Sequence, residues 1–577
     1  MKKYIHFFYS IKYTRFSQLF YRLIFIARRK AYSRISSYYQ KKYEMILANG
    51  SIIANEILPL PVMPARNGFI HKVNNGYKFN FLNQTFEMND KINWKLNITD
   101  NNFRLWLMNL HYMEYLEEVN NNDFIKIIED WIEQNKIFRN NFDWAAWNSY
   151  SLSLRTLVWM QQFALRGINL NLAQYEKINK SLILQLLYLE RNIEKDIGGN
   201  HIIKNIKALL WAAKFFNGNH TSRWKEIAVQ LLNKELDEQI LPDGVHFELS
   251  TAYHCQVFVD LLECYSVLED SHLKSKLYNK LYLMTQAIND FTHPDDNICV
   301  FNDGSVNMSY PANECLKAWE KISGNFTRVN RHIKLESSGY FGFKNKAIYI
   351  MIDAGRVGAD HLPAHSHGDI FSFELSAGKE RIIVDPGVYE YNPGEKRNYS
   401  RATSSHNTLT LDDVDQCEFY GAFRVARRAN VKIQNYVTWE DGFELSAAHD
   451  GYKRLSGKPL HSRKFKLNKN IIEITDEIIG GNGQLAAANL LLHPECAIIP
   501  SDNEIRIIKN DSIIIINTPA KYEIMPAYYF PAFGKSTPAK KIKIFYGKSP
   551  CKGSFQIAVS NTTGKVAKSS YAKLNLV

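Results

Sequence analysis

The chain has 577 residues, 45% of them hydrophobic, which is enough apolar material for several cores. Its seven cysteines lack the close spacing of a metal or redox pair, which argues against a disulfide framework and favours a reducing compartment. The net charge of +13 does not indicate a polyanion binder, because residues 1–45 hold eleven Lys and Arg against Glu44 alone and so carry ten of those charges.

Residues 1–45 are basic and rich in aromatic side chains, and we predict an amphipathic N-terminal arm. Its apolar run at 23–27 is bounded by Arg22 and Arg28, so we recognise no secretory signal, and no stretch approaches the roughly 20 apolar residues of a membrane span. We expect a cytoplasmic protein or one peripheral at the inner membrane face, with the periplasm or cell envelope as the alternative. The arm either lies on anionic lipid or packs on the body as a basic helix.

The remaining chain divides by hydrophobic periodicity. Residues 46–100 are mixed and predict only an uncertain linking region. Between about 101 and 330 apolar residues recur at helical spacing in successive segments, which indicates a toroid or solenoid of paired helices. From 335 to 577 short β-rich stretches alternate with turn signals, which predicts an antiparallel β-sandwich. We therefore predict an α+β multidomain protein with its boundary near 325–340.

The densest group of reactive side chains lies in the predicted sandwich. His365 and His367 alternate along the chain, and Asp385 and His406 follow in two further short motifs. If this segment is extended, both imidazoles point to one side, where two histidines and a carboxylate can bind zinc. A buried histidine network that is hydrogen-bonded to Asp385 without metal explains the same spacing equally well.

Two further motifs lie in the helical region. In the first, Gly198-Gly199-Asn200-His201, Asn200 can donate hydrogen bonds to a carboxylate or simply cap a helix. In the second, Asp243-Gly244 precedes Glu248 and Tyr253 at the start of a helical segment. Taken alone, Tyr253 would be an ordinary core residue.

Taken together in chain order, these motifs resemble those of the heparinase II/III-like polysaccharide lyases. The resemblance rests on Gly-Asn-His, Asp-Gly followed by Glu-x-Ser-x-x-Tyr-His, His-x-His-Gly-Asp, Val-Asp-Pro-Gly and Ser-His-Asn-Thr, and it covers roughly residues 100–560. It implies an incomplete (α/α) toroid followed by an antiparallel β-sandwich, with the active site between them. It also implies β-elimination on a polysaccharide that contains uronic acid.

The resemblance assigns roles to individual residues. Asn200 resembles the group that neutralises the uronate carboxylate, Tyr253 the tyrosine that acts as base and acid, and His365 the catalytic histidine of the sandwich. His367, Asp385 and His406 resemble a set that holds a structural zinc in some members, and no organic cofactor is expected. His201, Glu248, Arg155 and Arg401 are further candidates for substrate contact.

The expected chemistry sets further requirements. Hydrogen bonds from Asn200 would stabilise the enolate-like charge that forms when the C5 proton leaves. Tyr253 or His365 would take that proton, and Tyr253 would return one to the departing O4. A phenol is a poor base unless a cation such as a His or an Arg lowers its pKa, and Arg155 and Arg401 are candidates.

One departure from the family pattern concerns substrate placement. Some relatives have a charged residue three positions after the neutralising group, where this chain has Ile203. The missing secretory signal is a second departure, and it favours a role in assembling or editing the cell's own surface polysaccharide.

Two other functions remain open. One is a glycoside hydrolase on a similar toroid that uses Asp243 and Glu248 as a carboxylate pair. The other is an inactive protein that binds glycans or assists their assembly. The expected partner is an acidic polysaccharide rather than a nucleic acid, and neither the polymer nor the oligomeric state can be read from the sequence.

Overall fold

The computed structural model describes residues 2–49, 52–96, 104–137, 144–167 and 171–561. The first residues of the predicted toroid, 101–103, and the last of the predicted sandwich, 562–577, lie outside the described residues. Helices fill most of the chain up to Ser323, and strands fill most of it from His332 onward.

The helices, in chain order, are α1 (Lys2–Tyr13), α2 (Phe16–Arg34), α3 (Ser36–Asn49), α4 (Arg104–Tyr112), α5 (Asn121–Gln134), α6 (Trp144–Trp147), α7 (Ser149–Arg166), α8 (Leu172–Arg191), α9 (Asn200–Phe215), α10 (Asn219–Gln239), α11 (Thr251–Val267), α12 (Ser271–Phe291), α13 (Ala312–Ser323) and α14 (Glu395–Arg401).

The strands are β1 (Ile53–Ala54), β2 (Ile70–Val73), β3 (Gly76–Phe81), β4 (Gln84–Asn89), β5 (Phe216–Asn217), β6 (His332–Leu335), β7 (Tyr340–Lys344), β8 (Ile348–Asp353), β9 (Phe373–Ala377), β10 (Glu380–Ile383), β11 (Leu409–Leu411), β12 (Phe419–Tyr420), β13 (Arg424–Val425), β14 (Val431–Trp439), β15 (Gly442–His449), β16 (Leu460–Asn468), β17 (Ile471–Ile479), β18 (Leu485–Leu492), β19 (Ala497–Pro500), β20 (Glu504–Lys509), β21 (Ser512–Asn517), β22 (Tyr522–Ala532), β23 (Lys535–Lys548) and β24 (Cys551–Asn561).

The helical domain is built around α9, which packs against α7, α10 and α11. Most of its side chains are buried, as expected for a helix that is apolar on more than one face. Within the described residues no helix is both long enough and apolar enough to cross a bilayer. The region 46–100, which the sequence left unassigned, contains the three-stranded antiparallel sheet β2-β3-β4, and this sheet packs into the same core through Phe79 and Phe81.

Two large antiparallel sheets form the second domain. One runs β22-β23-β18-β10-β9-β8-β7-β6, with β11 also paired to β18, and the other runs β14-β15-β16-β17-β24-β21-β20-β19. Alternate residues of their strands, such as Phe443 and Leu445 of β15 and Ile505 and Ile507 of β20, are buried in one shared core. This is the face-to-face packing of a β-sandwich, and the predicted fold is confirmed.

A smaller apolar core joins the two domains. Leu249 and Phe291 from the helical side contact Ile333, Tyr340 and Met351 from the first sheet. The Tyr340 hydroxyl also donates to the carbonyl of Leu249, at 2.5 Å. The loops that carry the candidate site are therefore held at a packed joint rather than across an open hinge.

Candidate active site

Asn200 is the first residue of α9 and is buried at the joint. Its Nδ2 donates to Glu248 Oε1 at 3.0 Å, and its backbone N–H donates to the same oxygen at 2.9 Å. The preceding Gly199 has φ +59°, and a Cβ there would lie 2.5 Å from Glu248 Oε1. Glycine is therefore needed for the carboxylate to approach the start of the helix.

Tyr253 lies in the first turn of α11, whose N-cap Ser250 accepts a hydrogen bond from the Tyr253 backbone N–H. Its ring stacks on His365 with centroids 4.0 Å apart. Its hydroxyl lies 3.1 Å from the hydroxyl of Tyr391, a residue of the sandwich domain. Both the ring and the hydroxyl of Tyr253 thus contact the sandwich across the joint.

His365 lies in a turn rather than in the extended segment that the spacing assumed. Its Nδ1 lies 2.8 Å from Asp303 Oδ2, and its Nε2 lies 3.2 Å from Glu248 Oε2. Asp303 also contacts His367 and forms a two-point ion pair with Arg397. His365 is thus held between two carboxylates from the helical part of the chain.

The structure therefore brings Asn200, Tyr253 and His365 to one place. Asn200 and His365 both contact Glu248, and Tyr253 stacks on the imidazole. Residues that lie up to 165 positions apart in the chain thus form one cluster at the domain joint.

Burial and neighbouring charges set the ionisation of the two carboxylates. Burial alone raises the pKa of Glu248, but His365 and the two hydrogen bonds from Asn200 outweigh it and leave that pKa below its usual value. Burial likewise opposes ionisation of Asp303, while Arg397 and two histidines hold its pKa well below the usual range. Both carboxylates are therefore ionised at neutral pH.

The phenol of Tyr253 behaves in the opposite way. Burial, then the neighbouring Tyr391, raise its pKa well above the ordinary value. The expected cation beside this hydroxyl is not found at Arg155 or Arg401. The guanidinium of Arg397 lies 5.1 Å from the Tyr391 ring centroid, and it is paired with Asp303. Tyr253 is thus a neutral phenol in the free protein.

A cleft of about 260 Å³ opens beside Tyr253 and Tyr391. Its lining includes polar and charged residues from the helices and from the segment that follows β1, among them Arg66, Glu114, Glu117, Tyr150, Lys204, Lys207, Asp260 and Glu263. Lys204 and Lys207 donate to the two oxygens of Asp260 at 2.9 and 2.5 Å, and Arg66 pairs with Glu114. Each Lys and Arg described in the lining therefore has an acidic partner.

His201, predicted to contact substrate, lies next to this cleft. Its ring packs on Tyr150 with centroids 4.6 Å apart, and its Nδ1 lies 3.2 Å from Glu194 Oε1. Burial opposes its protonation, but the charge and hydrogen bond of Glu194 outweigh burial and raise the His201 pKa. Its side chain remains 29% exposed, so it is accessible to a ligand.

The two arginines predicted as substrate contacts are structural instead. Arg155 is fully buried, donates to the carbonyls of His111 and Ala146, and stacks on Trp131. Arg401 is 2% exposed and donates to the carbonyls of four residues, Ser366, Gly421, Ala422 and Arg424. Because both guanidinium groups are buried and bonded to backbone carbonyls, neither can contact a sugar or the Tyr253 phenol.

The carboxylate pair expected for a hydrolase is also absent. Asp243 Oδ2 accepts from the backbone N–H and the hydroxyl of Ser338, at 2.7 and 2.9 Å, and so anchors the toroid to the sandwich. Only Glu248 of the two lies in the site. The structure therefore gives no support to the hydrolase alternative.

The predicted metal ligands lie behind the site, with one change. His367, Asp369 and His406 are buried and offer ligand atoms within 4.8 Å of one another. Asp385, the predicted third ligand, instead lies 2.8 Å from His406 Nδ1 and orients that ring. His367 Nδ1 and His406 Nε2 are buried without a hydrogen-bond partner, and burial lowers the His367 pKa to about 3, so its neutral form can bind a metal.

Four residues of this region were not predicted from the sequence: Asp303, Asp369, Tyr391 and Arg397. Asp303 lies in an Asn-Asp-Gly turn and Asp369 directly follows the His-x-His-Gly motif, so the sequence held a signal for both. Tyr391 and Arg397 have no such local signal, because only the joint between the domains brings them to Tyr253 and Asp303.

The chain therefore has a helical toroid joined to an antiparallel sandwich, with a polar site at the joint. The solved structure of a heparinase III superposes with a TM-score of 0.66 at 18% identity, over 83% of this chain and 80% of the other, a likeness that shows the fold alone.

The chain belongs to the heparinase II/III family. The N-terminal family profile matches residues 26–327, and the heparinase II/III-like C-terminal profile matches residues 327–562. A heparin-sulfate lyase of Pedobacter heparinus is 26% identical over 327 residues, covering 51% of this chain and 46% of that protein. One of Bacteroides thetaiotaomicron is 25% identical over 412 residues, covering 62% and 55%. The chain thus matches about half the length of these relatives.

Proposed function

We propose that the protein is a polysaccharide lyase that cleaves a uronate-containing glycan by β-elimination. The observation that carries this proposal is the meeting of Asn200, Tyr253 and His365 around Glu248 at the domain joint. A carboxamide, a phenol and an imidazole are the groups this reaction requires: donors for the carboxylate and partners for two proton transfers.

Asn200 supplies the hydrogen-bond donors for the substrate carboxylate. In the free protein its Nδ2 and its backbone N–H donate to Glu248, which also contacts His365. A uronate carboxylate that takes over these hydrogen bonds would find them already oriented, so that little reorganisation is needed as negative charge develops. Glu248 is thus a positioning residue in this mechanism.

The two proton transfers are divided between His365 and Tyr253. The raised pKa of Tyr253 keeps its hydroxyl protonated, so it is suited to donate to the departing O4 oxygen. His365 Nε2, once substrate displaces Glu248 from it, takes the C5 proton. The Tyr391 hydroxyl, 3.1 Å from that of Tyr253, orients the donor.

We propose that His367, Asp369 and His406 hold a structural zinc ion, as the orphaned nitrogens of the two rings indicate. When bound, zinc would cross-link the loop that carries His365 to the loop that carries His406. Asp385 would orient His406, and Asp303 would bind the other nitrogen of His367. A zinc ion held there would support the loop that carries His365.

The paired charges of the cleft favour a polymer of low charge density. A densely sulfated chain needs cations that are not already neutralised, whereas Arg66, Lys204 and Lys207 each have a carboxylate partner. We therefore propose an acidic polysaccharide whose charge comes mainly from its uronates. A role in assembling or editing the cell's own surface polysaccharide, and a location at the inner membrane face, remain proposals from the sequence.

The test is a panel of uronate polymers, sulfated and unsulfated, incubated with the purified protein. Elimination leaves an unsaturated uronate end that absorbs ultraviolet light, and hydrolysis does not. Asn200→Ala and His365→Ala should abolish the new absorbance. Full retention of turnover in both variants would refute the proposed site.

A further inference from the structure

The surface of the N-terminal arm is unusual for its exposed apolar side chains. Among the described residues, nine large hydrophobic side chains between positions 4 and 26 are exposed, from Phe16 at 83% to Leu19 at 36%. They are Tyr4, Phe7, Phe8, Ile11, Phe16, Leu19, Phe20, Leu23 and Ile26. A cluster of this kind on a soluble domain marks an interaction surface.

The exposed residues form a stripe on each of two helices. On α1 the positions 4, 7, 8 and 11 recur at the spacing of one helical face, and on α2 the positions 16, 19, 20, 23 and 26 do the same. The opposite face of α2 is the one that packs on the body, through Gln18, Phe25 and Tyr32. The stripes are therefore the outward faces of helices that are already seated.

The arm is fixed to both domains. His6 of α1 stacks on Tyr420 of the sandwich with centroids 4.5 Å apart. On α2, Gln18 donates to the carbonyls of Ile197 and His361, which precede Asn200 and His365 in the chain. Because the arm contacts both domains, the two stripes keep a fixed position relative to the proposed catalytic cleft.

The positive charge of the arm indicates which kind of partner covers the stripes. Arg22, Arg29, Lys30 and Arg34 are exposed along α2, and the arm as a whole has eleven Lys and Arg against one acidic residue. A second copy of the arm would bring like charges together, whereas an anionic lipid surface attracts them and accepts the apolar side chains. Aromatic residues interleaved with bases are typical of helices that lie in the interface of a bilayer.

We propose that α1 and α2 dock the protein on an anionic membrane surface, with Phe16, Phe20 and Leu23 inserted between lipids and the basic side chains against the headgroups. This goes beyond the lyase proposal and does not depend on it. The arm lies on the bilayer without crossing it.

The experiment is co-sedimentation of the full chain with phosphatidylcholine vesicles, with and without phosphatidylglycerol. We expect binding to the anionic vesicles and little to the neutral ones, with a loss of binding in high salt as the Debye length shrinks to about 3 Å at 1 M. The variant Phe16→Ser/Phe20→Ser/Leu23→Ser should bind anionic vesicles at least about 100-fold more weakly, since three inserted side chains are lost.

A matched control is Leu165→Ser/Phe326→Ser/Val329→Ser, which removes three exposed hydrophobic side chains elsewhere on the molecule. This control variant should bind vesicles as the unaltered protein does. Both variants should have the same melting temperature as the unaltered protein. Three results would overturn the proposal: no binding to anionic vesicles at low salt, equal loss in both variants, or a lipid-free dimer that only the arm variant dissociates. The last would assign the stripes to a second copy of the chain.

Discussion

At the scale of single residues, Tyr253 has the proposed role that its contacts define most clearly. Its ring is clamped against His365, and its hydroxyl has Tyr391 as the partner that orients it. Because burial raises its pKa, the free protein holds the phenol in the form that donates a proton. Glu248 complements it on the other side by accepting the two hydrogen bonds of Asn200 and by contacting His365 Nε2.

Tyr253→Phe removes the hydroxyl and leaves the stacked ring. We expect kcat to fall by about 10²–10⁴, the range of a lost acid or base, with KM and melting temperature nearly unchanged. Steady-state kinetics on the polymer that is cleaved fastest measure kcat and KM separately. Tyr391→Phe is the matched control and should cost much less, because it removes only the partner of the donor. Equal effects of the two variants would contradict the assignment.

Arg155 illustrates a charged side chain with a purely structural role. Arg155→Met leaves the carbonyls of His111 and Ala146 and the side chain of Gln185 without their buried donor. We expect a loss of about 3 kcal/mol or more in the free energy of unfolding, measured by denaturant titration. The KM of the protein that remains folded should not change. A raised KM with unchanged stability would restore Arg155 as a substrate contact.

At the scale of elements, the helical wall of the cleft contributes two carboxyl groups whose pKa values are unusually high. Burial raises the pKa of Glu117 and of Glu263 to about 7 in each case, against the partial opposition of Arg66 and Lys207 respectively. Each is neutral below that pH and charged above it. Since folding raises these pKa values from 4.5, the stability that both groups contribute falls as pH rises from about 4.5 through 7.

The same titration should govern substrate binding. Between about pH 6 and pH 8 the cleft gains up to two negative charges, so KM for a uronate polymer should rise by roughly 5- to 10-fold. Glu117→Gln/Glu263→Gln should flatten this rise, since an amide keeps the shape and the acceptor without the charge. KM measured across this pH range in both proteins is the test. An unchanged slope in the double variant would show that other groups cause it.

The loops that carry His367 and His406 allow a prediction about bound zinc. The purified protein should contain about one zinc ion per chain by elemental analysis, and a chelator should lower its melting temperature. His406→Ala should abolish the bound zinc, whereas His493→Ala, a substitution of a partly exposed histidine outside the cluster, should retain it. Zinc retained in full by His406→Ala would place the metal elsewhere.

The sequence predicted elements better than it predicted contacts. The switch in apolar spacing predicted helices followed by a sandwich, and the family resemblance of the motifs singled out Asn200, Tyr253 and His365, which lie together in the structure. Their catalytic roles stay a prediction. The hairpin of β2 and β3 was missed although Asn75-Gly76 is a turn signal, because its strands are short and partly polar. The burial of Arg155 and Arg401 could not be foreseen, since a single sequence does not show which charged side chains the interior accepts.

At the scale of the whole molecule, the domain joint is the feature on which the proposed function depends. Neither domain holds the site alone: Asn200, Glu248, Tyr253 and Asp303 come from the helical part, and His365, Tyr391 and Arg397 from the sandwich part. The apolar core between Leu249, Tyr340 and their neighbours fixes the two halves. Substitutions in that core should therefore affect turnover as well as stability.

The most direct measurement is the ultraviolet absorbance of unsaturated uronate ends during incubation with unsulfated and sulfated polymers. The account predicts a linear rise with at least one polymer of low charge density, a much smaller rise with densely sulfated ones, and none with Asn200→Ala or His365→Ala. Release of reducing ends without any absorbance would contradict elimination at this site and indicate hydrolysis instead.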